Sequence, residues 1–157
     1  ARAALIERAV DVASTQLTLR QIRLEKRIEV PLPKVTVDAN QIQQLFINLV
    51  MNSVDAMPDG GRLGISIAHP DTDRIEIRVT DSGHGMPPEV ASRVFEPFFT
   101  TKPAGRGSGL GLIVAKGIVS DHGGTISVSS APGQGTEFTI VFPSGSDQSD
   151  ASSKSGA

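Results

Sequence analysis

The 157-residue chain has no cysteine, no tryptophan and no tyrosine. Without cysteine there is no disulfide framework and no thiolate metal site, and the redox compartment cannot be read. Six phenylalanines are its only aromatics, too few for the stacking platforms on which single-stranded nucleic acids lie. Neither sign of charge dominates: 15 Lys and Arg stand against 17 Asp and Glu, with no basic stripe to follow a phosphate backbone, so nucleic acid is not an expected partner. No apolar run approaches the roughly 18 residues that span a bilayer, and no signal-like start is present. A soluble chain, or the soluble piece of a larger protein, is expected; the opening Ala-Arg-Ala, without an initiator Met, fits an excised piece. An apolar share of 38% sustains one core without surplus.

The spacing of apolar residues predicts the elements. Leu5, Ile6, Ala9, Val10, Ala13 and Leu17 recur at helical intervals, giving a helix over 1 to about 24, although alternation through Leu17, Leu19, Ile22 and Leu24 leaves its end open. A strand over 25–30 follows, stopped by Pro31 and Pro33. Val35 to Val37 is a brief strand or an extended approach, and Asp38 offers a carboxylate cap to a helix over about 39–57. Alternation over 62–68 and 74–80 predicts two half-buried antiparallel strands, with Pro70 to Asp73 connecting them. A short helix over 87 to about 94, a helix over 110 to about 121, and strands over 125–129 and 137–142 complete the series. The economical architecture is an α+β sandwich, a mainly antiparallel or mixed sheet with helices layered on one face. Residues after Pro143 carry no apolar anchor and read as a disordered tail or linker.

Three stretches carry chemistry. Leu45, Leu49, Asn52 and Ala56 share one helical face, so the carboxamides of Asn48 and Asn52 stand one turn apart within an apolar stripe. Such groups need a partner, which on this helix alone is either neighbouring backbone or a ligand or hydrated metal. Asp81-Ser82-Gly83-His84-Gly85-Met86-Pro87 leaves a strand through two glycines. It is an ordinary turn, or a loop whose backbone approaches a flat ligand while Asp81 accepts from an exocyclic amine. Gly105 to Leu112 opens a helix through alternate glycines, an arrangement suited to di- and triphosphate. It is neither the loop ending Gly-Lys-Ser or Gly-Lys-Thr nor a dinucleotide fingerprint.

The order of these motifs resembles the ATP-binding catalytic domain of sensor histidine kinases, in the superfamily shared with type II topoisomerases, ninety-kilodalton chaperones and mismatch-repair ATPases. Asn48 to Ala56 is similar to the N box, Asp81 to Gly85 to the first glycine box, Phe95 to Phe99 to the F box, and Gly107 to Gly111 to the second glycine box; Gly133 to Phe138 matches the motif before the last strand. The resemblance covers roughly 35–143, preceded by a helix and lead-in strand over 1–34 and followed by the tail over 144–157. It implies ATP and magnesium as cofactors. Asn52 offers its oxygen to the ion and Asn48 lies near the ion or its water. Asp81 binds the adenine amine, Gly83, Gly85 and Met86 shape the base pocket with Asp55 and Ala56 nearby, and Thr136 closes it from the sheet. Residues 100–106 form a short lid of the nitrogen-regulation type. Lys102, Arg106, Gly107, Ser108, Gly109, Leu110, Gly111 and Leu112 approach the phosphates.

Two departures refine the expectation. Many relatives place Lys or Arg three residues after the magnesium-binding Asn, where this chain has Asp55, so the resemblance implies that positive charge comes from magnesium together with Lys102 or Arg106; Lys102, directly after the Phe-Phe-Thr-Thr run, is the better placed, the alternative being a freely solvated lysine. ATP-hydrolysing members carry a glutamate base where this chain has Asn48, which favours phosphoryl transfer over hydrolysis. None of His69, His84 and His122 stands in an acceptor motif: His69 falls in a turn, His84 bends between glycines, and His122 ends a helix where a partly charged imidazole is favoured. The implied partners are a separate dimerisation and phosphoacceptor domain, which makes the full-length protein a homodimer, and a response regulator. A cytoplasmic setting is implied. The alternatives are a serine protein kinase of the same superfamily and a nucleotide-dependent binding module.

Overall fold

The computed structural model describes residues 3–15, 17, 21–29, 35–71, 73–96 and 111–144. Their elements, in chain order, are α1 (Ala3–Ser14), β1 (Ile22–Ile28), α2 (Ala39–Asp55), β2 (Gly61–Asp71), β3 (Arg74–Asp81), α3 (Pro88–Ala91), α4 (Gly111–Asp121), β4 (Thr125–Ser130) and β5 (Thr136–Pro143). The strands form one mixed sheet in the order β1-β2-β3-β5-β4, parallel between β1 and β2 and antiparallel elsewhere.

Period-two patterning gives this sheet two unlike faces. Ile28, Ile67, Ile77, Ile140 and Ile126 stand in register across all five strands. The neighbouring row runs Ile65, Val79, Phe138 and Val128. These β-branched and aromatic rows form a surface that β-strand sterics favour and that the helices cover. From α1, Ile6, Ala9, Val10 and Ala13 are buried; from α2, Ile42, Leu45, Phe46, Leu49, Val50 and Val54; from α4, Ala115, Ile118 and Val119. All join the sheet rows in one core, so α1 and β1 belong to the same packed body as the rest. The opposite face carries Ser66, Arg78, Thr139 and Ser127 in one register row, with Arg78 paired to Glu76 and Glu137.

The structure moves several expected boundaries. The first helix stops at Ser14, and Ile22 and Leu24 belong to β1. Their alternation prevails because β1 pairs with β2 from Ile22 opposite Gly61. Val35 and Val37 are buried but belong to no strand of the sheet. β2 runs on through Pro70 to Asp71, with an irregularity in its pairing between Ala68 and Asp71 where proline offers no donor. The short helix contains only Pro88–Ala91, with turns after it. His69 lies in β2 beside Glu29. Of the tail, Ser144 is buried and donates its amide to the Asp73 carbonyl; 145–157 lie outside the described residues.

α2 is held at its start as expected, and by one group that was not. The Asp38 carboxylate accepts from Gln41 N at 2.9 Å, and the Asp38 amide donates to His122 Nε2 at 3.0 Å. His122 Nδ1 lies 2.8 Å from the Ile118 carbonyl. A carbonyl only accepts, so the proton sits on Nδ1 and Nε2 keeps its lone pair for Asp38. The imidazole is therefore neutral, packed edge-on against Phe142, rather than partly charged by the end of its helix. It joins the last turn of α4 to the first turn of α2. Asp38→Ala is expected to lower stability by about 1 kcal/mol in urea unfolding, and His122→Ala to add a further loss by freeing the Asp38 amide.

Candidate nucleotide site

The site forms where the helix-facing side of the sheet meets the end of α2. Leu63, Asp81, Thr136 and Ser130 stand in register on β2, β3, β5 and β4. The polar members of this row sit beside the apolar rows of the core. Asp81 is 4% exposed and Thr136 5%. Asp81 Oδ1 accepts from Gly83 N at 2.9 Å, while Oδ2 has no hydrogen-bond partner. Beside it, Ser53 of α2 is 1% exposed and its hydroxyl is likewise unpartnered. Burial raises the Asp81 pKa above the ordinary carboxylate value, opposed by the Gly83 amide, the nearby Ser53 hydroxyl, the Thr136 amide and the charge of His84. Ser53 thus favours the charged form by proximity without closing a hydrogen bond of good geometry.

The loop after Asp81 is pinned on both sides. His84 N donates to the Ala56 carbonyl at the end of α2, and Gly133 N donates to the His84 carbonyl. Met86 N donates to Ser130 Oγ at 2.9 Å. A Cβ on Gly83 would lie 2.5 Å from the Ala56 carbonyl oxygen. Gly85 has φ +70° and faces the Ala131 backbone in the same way. Both glycines are thus required by the approach of protein to protein, a different reason from the ligand contact that the sequence brings to mind.

Asn48 and Asn52 are half-buried, at the margin of the apolar stripe rather than inside it. The buried face of α2 runs through Leu45, Leu49, Ser53 and their neighbours, one position round from the carboxamides. Asn48 Nδ2 donates to the Gly111 carbonyl at 3.0 Å, and its Oδ1 accepts from Gln44 Nε2 at 2.6 Å. The carbonyl fixes which end of the amide faces α4. Among the described residues the Asn52 side chain makes no hydrogen bond, so its oxygen has acceptor capacity for a ligand.

Of the expected site, the structure brings together Asp81, Gly83, Gly85, Met86, Ala56 and Thr136, and sets Asn48 against Gly111. Asp55 and Leu112 are half-buried. Lys102, Arg106, Gly107, Ser108, Gly109 and Leu110 lie outside the described residues, as do Pro97 to Phe99 of the F box. Phe95 is described: it meets Phe138 edge-on, and Lys116 lies over its ring. Two contributors were missed, Ser53 and Ser130. Ser53 follows Asn52 by one residue, which turns it from the helix margin to the core. Ser130 becomes visible only through strand register.

Asp81 links site and stability. Its folded pKa is raised, so the folded protein binds this proton more tightly than the unfolded chain. The ionised group therefore costs stability above the folded pKa, and that cost is relieved as pH falls through it. Asp81→Asn is expected to melt above the parent at pH 7, the difference closing as pH is lowered into the range where Asp81 protonates; scanning calorimetry across pH reads both. Gly83→Ala is expected to cost about 1–3 kcal/mol by overpacking against Ala56.

Residues 37–146 match the family model described as histidine kinase-, DNA gyrase B- and HSP90-like ATPase. The chain is 41% identical over 139 residues to sporulation kinase A of Bacillus subtilis, covering 88% of this chain and 22% of that protein. It is 37% identical over 134 residues to sporulation kinase E of the same organism, covering 85% of this chain and 18% of that one. It thus spans about a fifth of the length of these relatives. The structure superposes on a mycobacterial sensor histidine kinase, MprB, with a TM-score of 0.75 at 30% identity, covering 91% of this chain and 94% of that one. On the match over residues 37–146 and the identity to these kinases, the chain belongs to the histidine kinase-, DNA gyrase B- and HSP90-like ATPase family, as an ATP-binding catalytic domain of the sensor histidine kinase kind.

Proposed function

We propose that this domain holds Mg-ATP so that its γ-phosphoryl reaches a histidine on a separate dimerisation domain, from which an aspartate of a response regulator receives it. The observation that carries the reading is the buried, unpartnered Asp81 Oδ2. An orphaned acceptor of this kind fits an exocyclic amine, and retaining it costs stability that a ligand restores. Bound ATP supplies the phosphoryl group, and magnesium neutralises its charge. Asn52 is the residue for the ion, and Asn48 retains a second lone pair for one of its waters. Ala56, Gly83, Gly85, Met86 and Thr136 enclose the base. Lys102 and Arg106 are the candidates for charge at the phosphates, with Gly107 to Leu112 as the phosphate-side backbone.

The three histidines support an acceptor elsewhere. His122 has both nitrogens engaged, His69 lies in a strand with its Nε2 3.6 Å from a Glu29 carboxylate oxygen, and His84 Nδ1 lies 2.9 Å from the Gly85 carbonyl. Asn48 in place of a carboxylate base supports transfer over hydrolysis. The proposed setting is the cytoplasmic module of a homodimeric sensor kinase; no described helix is long and apolar enough to cross a membrane.

Calorimetry with ATP or ADP is expected to show magnesium-dependent binding. Asp81→Asn weakens it at least about ten-fold, as befits loss of a charge-assisted hydrogen bond, and Asn52→Ala removes the magnesium dependence. Labelled phosphate then passes to an added histidine-bearing dimerisation domain. Transfer to serine instead would favour the serine-kinase reading. Tight binding without transfer to any supplied acceptor would favour a nucleotide-dependent binding module.

A further inference from the structure

The hydroxyl of Ser130 has its hydrogen-bonding capacity filled. It donates to the Gly135 carbonyl at 2.9 Å, and a carbonyl cannot return the bond. Its single proton is therefore spent, and its two lone pairs accept from Met86 N at 2.9 Å and from Thr136 Oγ1 at 2.9 Å. The direction of the last bond is forced: Thr136 must be the donor. Thr136 stands directly opposite Asp81 in the β3–β5 ladder, on the same face, where paired side chains lie close together. A threonine beside a buried carboxylate would ordinarily turn its proton toward it. Here that proton points to Ser130, and Asp81 Oδ2 is left without a partner. The nearby Ser53 hydroxyl favours the charged form of the same carboxylate.

We infer that Ser130 is a specificity-determining residue: by taking the Thr136 proton it leaves Asp81 Oδ2 open as an acceptor, so that a purine bearing a 6-amino group is favoured over one bearing a 6-oxo group. An amine donates to Asp81 Oδ2. A carbonyl oxygen placed there meets the carboxylate and the Thr136 lone pairs, with no proton available from either. Ser130 acts through Thr136 and does not itself touch the base.

The inference rests on the nucleotide reading above, and the test separates the two. Binding of adenosine and inosine is measured by calorimetry on the 157-residue chain, its Ser130→Ala and Ser130→Cys variants, and the Thr136→Val and Ser130→Ala/Thr136→Val variants. In Ser130→Ala the Thr136 proton turns to Asp81 Oδ2 and occupies the acceptor that the amine would use, so the adenosine-to-inosine affinity ratio is expected to fall about ten-fold, the scale of one hydrogen bond lost. Ser130→Cys, whose thiol accepts weakly, moves the ratio the same way by less and keeps the test open if the alanine variant fails to fold. In the Thr136→Val background, Ser130→Ala leaves the ratio unchanged. Equal loss of both nucleosides on changing Ser130, with the ratio intact, overturns the inference while leaving the nucleotide site standing. No binding of either nucleoside by the folded parent overturns the nucleotide reading itself.

Discussion

Burial of one carboxylate at the end of the central strand governs the rest of this structure. Asp81 is withdrawn from water with one oxygen bonded to the Gly83 amide and the other unpartnered. Such a group is costly in a medium of low dielectric, and it is tolerable only where the surrounding backbone is fixed. That need accounts for the close contacts of the loop that follows. The end of α2 caps it through Ala56, the β4–β5 turn caps it through Gly133, and Ser130 ties Met86 to the turn. The isoleucine and phenylalanine rows beneath provide the rigid floor.

α2 is the beam on which the site is assembled. Its first turn is joined to α4 through His122 and Asp38, its middle through Asn48 and Gly111, and its last carbonyl receives His84. These bonds are neutral and short-range, so salt screening affects them little. One helix thereby sets Asn52, Ser53 and Ala56 relative to the sheet.

Much of this was legible in the sequence because its periods are clean. Ile75, Ile77 and Val79, like Phe138, Ile140 and Phe142, alternate so regularly that strand and face are fixed together. Asp38 announced its helix by cap chemistry, and the paired glycines marked the loop. What the sequence hid depended on partners distant along the chain. Ile22 and Leu24 suit a helix or a strand until β2 is placed beside them. The spacing assigns Asn48 and Asn52 to the apolar stripe because intervals of three or four tolerate a rotation of one residue, and that rotation puts Ser53 in the core instead. His122 looked like a helix-end cation because the Asp38 amide that fixes its tautomer lies 84 residues away. Ser130 could not be singled out at all, since its role comes from the register of three strands.

The contact between Gly83 and Ala56 has a consequence for how the domain yields to force. Because the Gly83 backbone lies directly against the last carbonyl of α2, and His84 is bonded to it, the helix and the loop form a stiff joint with little slack between them. A displacement of α2 along its axis carries Asn52 and the loop after Asp81 in concert. Linkage makes the relation reciprocal: a molecule held both by Asn52 on the helix and by Asp81 on the sheet would resist displacement of the one against the other, and a partner that shifts the helix against the sheet would weaken that hold.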